Sequence, residues 1–270
     1  MIYNAKGGRV RIGGTDMDYV SFGRGKKVLV MLPGLGDGLT TVRHMALPLA
    51  VQYRTYAGRY RVYVFSRKNR MERGYSTRDM AHDQAEAMRV LGIKKAYVLG
   101  ISQGGMIAQH LAADFPQLVE KLVLAVTARK ADGRIKRVVG RWIGFAEQGD
   151  YRRLMVDTAE CMYSEAYLKK YRLFYPLLTR LGKPKDFSRF LIQASACVSH
   201  NAQHSLGKIS CPTLIIGGGH DRVVGEEAAA GLAGQIKGSG LFVYRELGHA
   251  AYEEAGDFNQ RVMRFLSESV

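Results

Sequence analysis

The chain of 270 residues holds only three cysteines, Cys161, Cys197 and Cys211. They are too few and too scattered for a disulfide framework or a zinc site. Long apolar runs are missing as well: no segment approaches the roughly 20 apolar residues that a bilayer-spanning helix needs. The opening Met1-Ile2-Tyr3-Asn4-Ala5-Lys6 has no apolar h-region, so no signal peptide is expected. These absences point to a reducing cytoplasm. Acidic residues are scarce, with 24 Asp and Glu against 40 Lys and Arg, a formal charge of +16. Such a charge attracts acidic proteins, nucleic acid or anionic lipid, or it is a solvated basic surface. No nucleic-acid-binding motif accompanies it, so no nucleic-acid partner is expected.

What is present is enough for one large α/β domain or one domain with an insertion. Segments 9–12 and 17–22 read as an opening hairpin, and Lys26–Leu32 is a nearly continuous apolar strand. Residues 40–52 look helical, with Pro48 a kink or an end. Tyr60–Phe65 is the next strand. Ser76-Thr77-Arg78-Asp79 is a capping box that opens a helix to about Leu91. Strand Ala96–Leu99, helix 103–114 and strand Lys121–Val126 follow. Alternation then stops. Residues 129–205 read as several amphipathic helices, after which come strand Thr213–Ile216, helix 226–236, strand Leu241–Arg245 and helix 256–267. The pattern is a βαβ series, residues 1–128 and 206–270, interrupted by a helical cap at 129–205. That cap holds 15 Lys and Arg against 7 Asp and Glu, and 10 of the 26 aromatic residues. Its aromatics either line an apolar pocket or form the core of a helical layer.

Residues 96–105, Ala-Tyr-Val-Leu-Gly-Ile-Ser-Gln-Gly-Gly, carry the most chemistry. With 31 glycines in the chain, a G-x-S-x-G alone says little. Here it sits between a strand and a helix, the setting of a nucleophile elbow. The turn strains Ser102 and lifts its hydroxyl off the sheet, and side chains at Gly100 or Gly104 would collide with the turn.

A serine hydroxyl needs a base, and the base needs an orienting carboxylate. Asp221 follows strand Thr213–Ile216 through Gly217-Gly218-Gly219-His220. His249 follows the next strand in Leu247-Gly248-His249-Ala250. Asp221 could instead cap a helix at 225–236, and His249 could be a loop histidine with a structural hydrogen bond. The order Ser102, Asp221, His249 is that of an α/β-hydrolase triad. The developing oxyanion would be met by the N–H groups of Gln103 and of Leu35, in the loop Pro33-Gly34-Leu35-Gly36-Asp37-Gly38. That loop completes neither nucleotide-binding glycine motif. His200 and His204 are spaced to share one helix face. They have no Glu between them and no third ligand, so no metal or other cofactor is expected.

These motifs, with Cys211-Pro212-Thr213-Leu214-Ile215-Ile216, Gly219-His220-Asp221-Arg222-Val223-Val224 and Gly248-His249, make the chain resemble the α/β-hydrolase superfamily in its capped, single-domain branch. The resemblance covers nearly the whole chain. It implies a mostly parallel eight-stranded sheet with a helical lid. Many relatives have His at the place of Pro33, and many have Asp-Xaa-Arg-Gly where this chain has Ser66-Arg67-Lys68-Asn69-Arg70. Relatives that dehalogenate or open epoxides use Asp at the elbow, so Ser102 argues for acyl chemistry. The reading is a carboxylesterase-like serine hydrolase acting on a small to medium acyl ester. The basic cap suggests an anionic substrate or an acidic carrier protein, including the methyl ester of an acyl carrier that one family activity hydrolyses. Acyl transfer, C–C bond hydrolysis and a non-catalytic receptor are the alternatives. The sequence is silent on oligomeric state.

Overall fold

A computed structural model describes residues 2–180 and 182–268. Among them eight strands form one sheet: β1 (Lys6–Ile12), β2 (Thr15–Phe22), β3 (Lys27–Leu32), β4 (Tyr60–Lys68), β5 (Ala96–Ile101), β6 (Val119–Ala125), β7 (Thr213–Gly218) and β8 (Gly240–Tyr244). Their spatial order is β1-β2-β4-β3-β5-β6-β7-β8. β1 pairs antiparallel with β2, and β2 with β4. The remaining neighbours pair in parallel. The expected mostly parallel sheet of an α/β-hydrolase fold is therefore what the chain forms.

The central strands are apolar without alternation because both faces of the sheet are covered. Val30 and Val98 point into one core, with Met80, Ile107 and Leu111 from the helices. Their neighbours Leu29 and Leu99 point into the other, with Tyr56, Phe258 and Val262. Successive strand residues thus feed opposite layers. The helix Thr77–Val90 opens on the expected capping box: Ser76 Oγ accepts from the Asp79 N–H, and the Asp79 carboxylate accepts from the Ser76 N–H.

Several boundaries differ from the sequence reading. β4 runs on to Lys68 because Ser66 and Arg67 are buried with partners rather than exposed in a loop. Residues 40–52 split into a 3₁₀ turn, Val42–His44, and a helix, Ala46–Gln52. Pro48 neither kinks nor ends that helix. It sits in the first turn, where a backbone N–H has no intrahelical acceptor to lose. The helix after β7 shrinks to Ala228–Ala233.

Between β6 and β7 lie the helices Gly133–Glu147, Tyr151–Met162, Glu165–Tyr171, Tyr175–Leu178 and Ser188–Ser199. An antiparallel bridge, Lys130 to Asn201, brings the two ends of this segment together. The Ala131 N–H donates to the His200 carbonyl at 2.8 Å, and the Ala202 N–H to the Arg129 carbonyl at 2.8 Å. The helix stops at Ser199, so His200 and His204 share no helix face. His200 is buried, its Nδ1 2.9 Å from Thr77 Oγ1, whereas His204 is exposed.

Candidate active site

Ser102 joins β5 to the helix Gln103–Asp114 with φ 52° and ψ −118°. A residue with a Cβ is strained there and persists only if its surroundings hold it. They do. Its N–H donates to the Ala125 carbonyl at 2.9 Å, and its carbonyl accepts from Thr127 Oγ1 at 2.8 Å. The helix can start this close to the sheet because residue 104 is glycine: a Cβ there would lie 1.9 Å from the Leu32 carbonyl oxygen. A Cβ at Gly100 would lie 2.6 Å from the Gly104 oxygen.

The loops after β7 and β8 deliver Asp221 and His249, both 2% exposed. His249 Nδ1 lies 2.8 Å from Asp221 Oδ2, and His249 Nε2 lies 2.9 Å from Ser102 Oγ. Facing a carboxylate, Nδ1 carries the proton, which leaves Nε2 free to accept from the serine hydroxyl. The other carboxylate oxygen, Oδ1, accepts from the N–H groups of Val223 at 2.8 Å and Val224 at 2.9 Å. Asp221 thus braces its own turn and does not cap the following helix, which begins at Ala228.

Leu35 opens a 3₁₀ turn, Leu35–Gly38, and Gln103 opens its helix. First-turn N–H groups have no acceptor within their own helix, so both are available to an anion. The Leu35 loop runs against the serine: a Cβ at Gly34 would sit 3.9 Å from Ser102 Oγ. The Gln103 side chain is buried and turned away, its Nε2 donating to the Gln193 carbonyl at 2.8 Å. A second tie lies behind His249, where the Ala250 N–H donates to the Met162 carbonyl at 2.9 Å.

Beneath the Leu35 loop is a buried charged cluster that sequence reasoning missed. Arg67 is 1% exposed, and its Nη2 donates to the Pro33 carbonyl at 2.5 Å. Asp37 Oδ2 accepts from the Arg67 N–H at 3.1 Å, from Arg189 Nη2 at 2.5 Å and from Gln193 Nε2 at 3.2 Å. Arg189 also donates to the carbonyls of Asp37, Arg67 and Lys68. Burial works to raise the Asp37 carboxyl, but Arg189 and Arg67 beside it hold it below its ordinary value. Burial pushes the Arg67 guanidinium down to about 10, so it is still charged at neutral pH. The one sequence signal was an arginine two residues past the apolar run that ends at Phe65.

Ser102 and His249 open into a cavity of about 330 Å³. Trp142, Met155, Thr158, Met162 and Phe190 of the β6–β7 segment line it, with Leu35, Tyr53 and Tyr252 from the rest of the chain. No lysine or arginine stands among the described lining residues, and Glu253 is an acidic member of the wall. Arg141 pairs with Asp157, Arg153 with Asp150, and Arg172 with Glu160 and Glu165. The segment's aromatics divide: Trp142 and Phe190 reach the cavity, while Tyr163, Tyr167 and Tyr171 stack on one another outside it.

The family model for the alpha/beta hydrolase fold matches residues 27–256. The chain belongs to that family. It is 28% identical to a 2-hydroxy-6-oxononadienedioate/2-hydroxy-6-oxononatrienedioate hydrolase of Pseudomonas sp, over 91% of this chain and 89% of that one. It is 29% identical to the serine hydrolase BPHL of Mus musculus, over 96% of this chain and 85% of that one. Among solved structures it is similar to MGS-M2, an alpha/beta hydrolase enzyme from a deep-sea metagenome library. The TM-score is 0.85 at 20% identity, covering 97% of this chain and 98% of that one. Hydrolase chemistry is the common property of these sequence relatives, and it extends to this chain.

Proposed function

We propose that the chain is a serine hydrolase that cleaves esters of small to medium, uncharged acyl groups. The observation that carries this reading is the unbroken hydrogen-bond chain from Asp221 through His249 to Ser102 at the base of an apolar cavity. Ser102 Oγ attacks the acyl carbon while His249 Nε2 takes its proton. The tetrahedral oxyanion is met by the Leu35 and Gln103 N–H groups. His249 then protonates the leaving alkoxide, and the ester C–O bond breaks to leave an acyl-enzyme. Water, deprotonated by His249, attacks that acyl carbon and releases the acid and Ser102. Asp221 fixes the tautomer and stabilises the imidazolium. Residues 129–205 act as the cap that closes the cavity over the core formed by 1–128 and 206–270.

The cavity wall favours neutral substrates. A dioate of the kind named for the Pseudomonas relative brings two carboxylates, which an apolar wall with Glu253 and no cation among its described lining residues would have to desolvate. The same wall argues against the anionic substrate that the basic cap suggested. C–C bond hydrolysis is the second reading, favoured by that relative's activity.

A fluorophosphonate probe should label the wild type and leave Ser102→Ala unlabelled. A panel of neutral esters, their carboxylate-bearing analogues and a 2-hydroxy-6-oxo-dienedioate then sorts the substrates. Faster turnover of the dienedioate than of any neutral ester would replace the esterase reading. Equal labelling of Ser102→Ala would remove Ser102 as nucleophile.

A further inference from the structure

We propose that the part of the β6–β7 segment around Leu173, Phe174 and Leu177 docks the protein on an anionic lipid surface. The helical turns Glu165–Tyr171, Arg172–Phe174 and Tyr175–Leu178 follow one another without a break. Lys170, Leu173, Phe174 and Leu177 therefore fall at i, i+3, i+4 and i+7, on one face. That face is not packed on the protein: Leu173 is 86% exposed, Phe174 54% and Leu177 59%. Single exposed leucines are ordinary, but three large apolar side chains together on a protruding turn are a surface that must be met by something.

Charge selects the partner. Lys169 and Lys170 are exposed at one end of the apolar face. Arg180, Lys183 and Lys185 are exposed just beyond the other end. Arg172, which bridges Glu160 and Glu165, is not counted with them. Apolar side chains that protrude among unpaired cations suit a bilayer, with the leucines and phenylalanine among acyl chains and the lysines at anionic headgroups. A second copy of this chain fits poorly, since a two-fold contact would set these lysines against one another. A fluid acyl layer, unlike a protein, needs no preformed groove to accept a protruding Leu-Phe-Leu cluster.

A chain of contacts links this helical stretch to the cavity wall. Tyr171 stacks on Tyr167 at 4.4 Å between ring centroids, and Tyr167 on Tyr163 at 4.5 Å. The Tyr163 hydroxyl donates to Glu253 on the cavity wall at 2.5 Å. The docking argument itself does not depend on the hydrolase reading.

The test is flotation with the full chain and two kinds of vesicle. One kind is phosphatidylcholine alone, and the other adds about 30% phosphatidylglycerol to give the anionic surface the lysines require. The wild type should float with the second and not the first, and added salt should release it. K169E/K170E should weaken this binding about thirtyfold, and L173S/F174S/L177S about a hundredfold. Circular dichroism and the thermal midpoint establish that both variants are folded. If either variant unfolds, the single changes Lys170→Gln and Leu173→Ser serve in its place, each expected to weaken binding severalfold. Binding to neither vesicle, or to both alike, overturns the proposal, as does undiminished binding by the folded variants. So does a wild-type dimer in light scattering that L173S/F174S/L177S makes monomeric, if vesicle binding is absent. Saturable binding of an acyl carrier protein in place of anionic vesicles would assign the face to an acidic protein and overturn it too.

Discussion

Asp221 meets His249 with one oxygen only, Oδ2 at 2.8 Å from Nδ1, while its other oxygen is held by the N–H groups of Val223 and Val224. Asp221→Asn therefore separates two roles. The amide oxygen can still accept from the Val223 and Val224 N–H groups, but the amide NH₂ then faces Nδ1. The imidazole must shift its proton to Nε2, where it can no longer accept one from Ser102. With Ser102 as nucleophile, kcat on a soluble ester should fall about 10⁴-fold with little change in thermal midpoint. A loss below tenfold would mean that the tautomer is not set here.

The backbone at Ser102, φ 52° and ψ −118°, is one that glycine adopts and alanine resists. Ser102→Gly and Ser102→Ala should both lose the hydroxyl and its activity, yet differ in stability. Ser102→Gly should be the more stable by about 1 kcal/mol, because only it relieves the strain. Urea unfolding of the two variants side by side gives the comparison. Equal midpoints would show that the turn stores no strain.

Asp37 is the anion that compensates Arg67 and Arg189 in the buried cluster. Asp37→Asn keeps the shape and removes the charge, leaving two guanidinium groups without a counter-ion. The cost should be about 3–5 kcal/mol of folding stability, the usual result of breaking a buried ion pair from one side. Denaturant midpoints for Asp37→Asn against wild type measure it, and an unchanged midpoint would contradict the charge assignment.

Acid should loosen the fold through His200. Burial pushes its pKa down to about 3, from an ordinary value of 6.5. His110, whose ring centroid is 5.4 Å away, is also lowered by burial. The unfolded chain takes up protons at these sites below its ordinary value, and the folded chain does not. Stability is therefore fully present above about pH 6.5 and falls as pH drops toward 3. His200→Asn should flatten that fall when thermal midpoints are followed from neutral pH to about pH 4.5. An unchanged slope would assign the acid sensitivity to other groups.

Much of the sheet and the central hydrogen-bond chain was legible because each part demands particular residues. β5 reads as a strand because it is apolar throughout, and Gly100 and Gly104 mark the tight turn because a Cβ there meets backbone. Asp221 and His249 lie just past successive strands, where side chains converge over the sheet. Arg67 was not legible in this way. Its burial depends on Asp37 and Arg189, 30 and 122 residues away in the chain, and nothing local announces that pairing. The positive charge of 129–205 was visible as a number but not as a direction, and its cations turn out not to line the cavity. The His200 and His204 spacing misled because the helix ends one residue before the first of them.

Two of the ties from the core to the β6–β7 segment share one property. Gln103 grips the carbonyl of Gln193, and the Ala250 N–H grips the carbonyl of Met162. Both acceptors are main-chain oxygens, which every amino acid supplies. The segment can therefore exchange its side chain at 162 without losing that anchor, whereas the side chain at 193 also holds Asp37. Its two ends already meet at Lys130 and Asn201, so its length can change without disturbing the register of β6 against β7. What the cavity admits can drift from one descendant to the next while the atoms around Ser102 stay where they are.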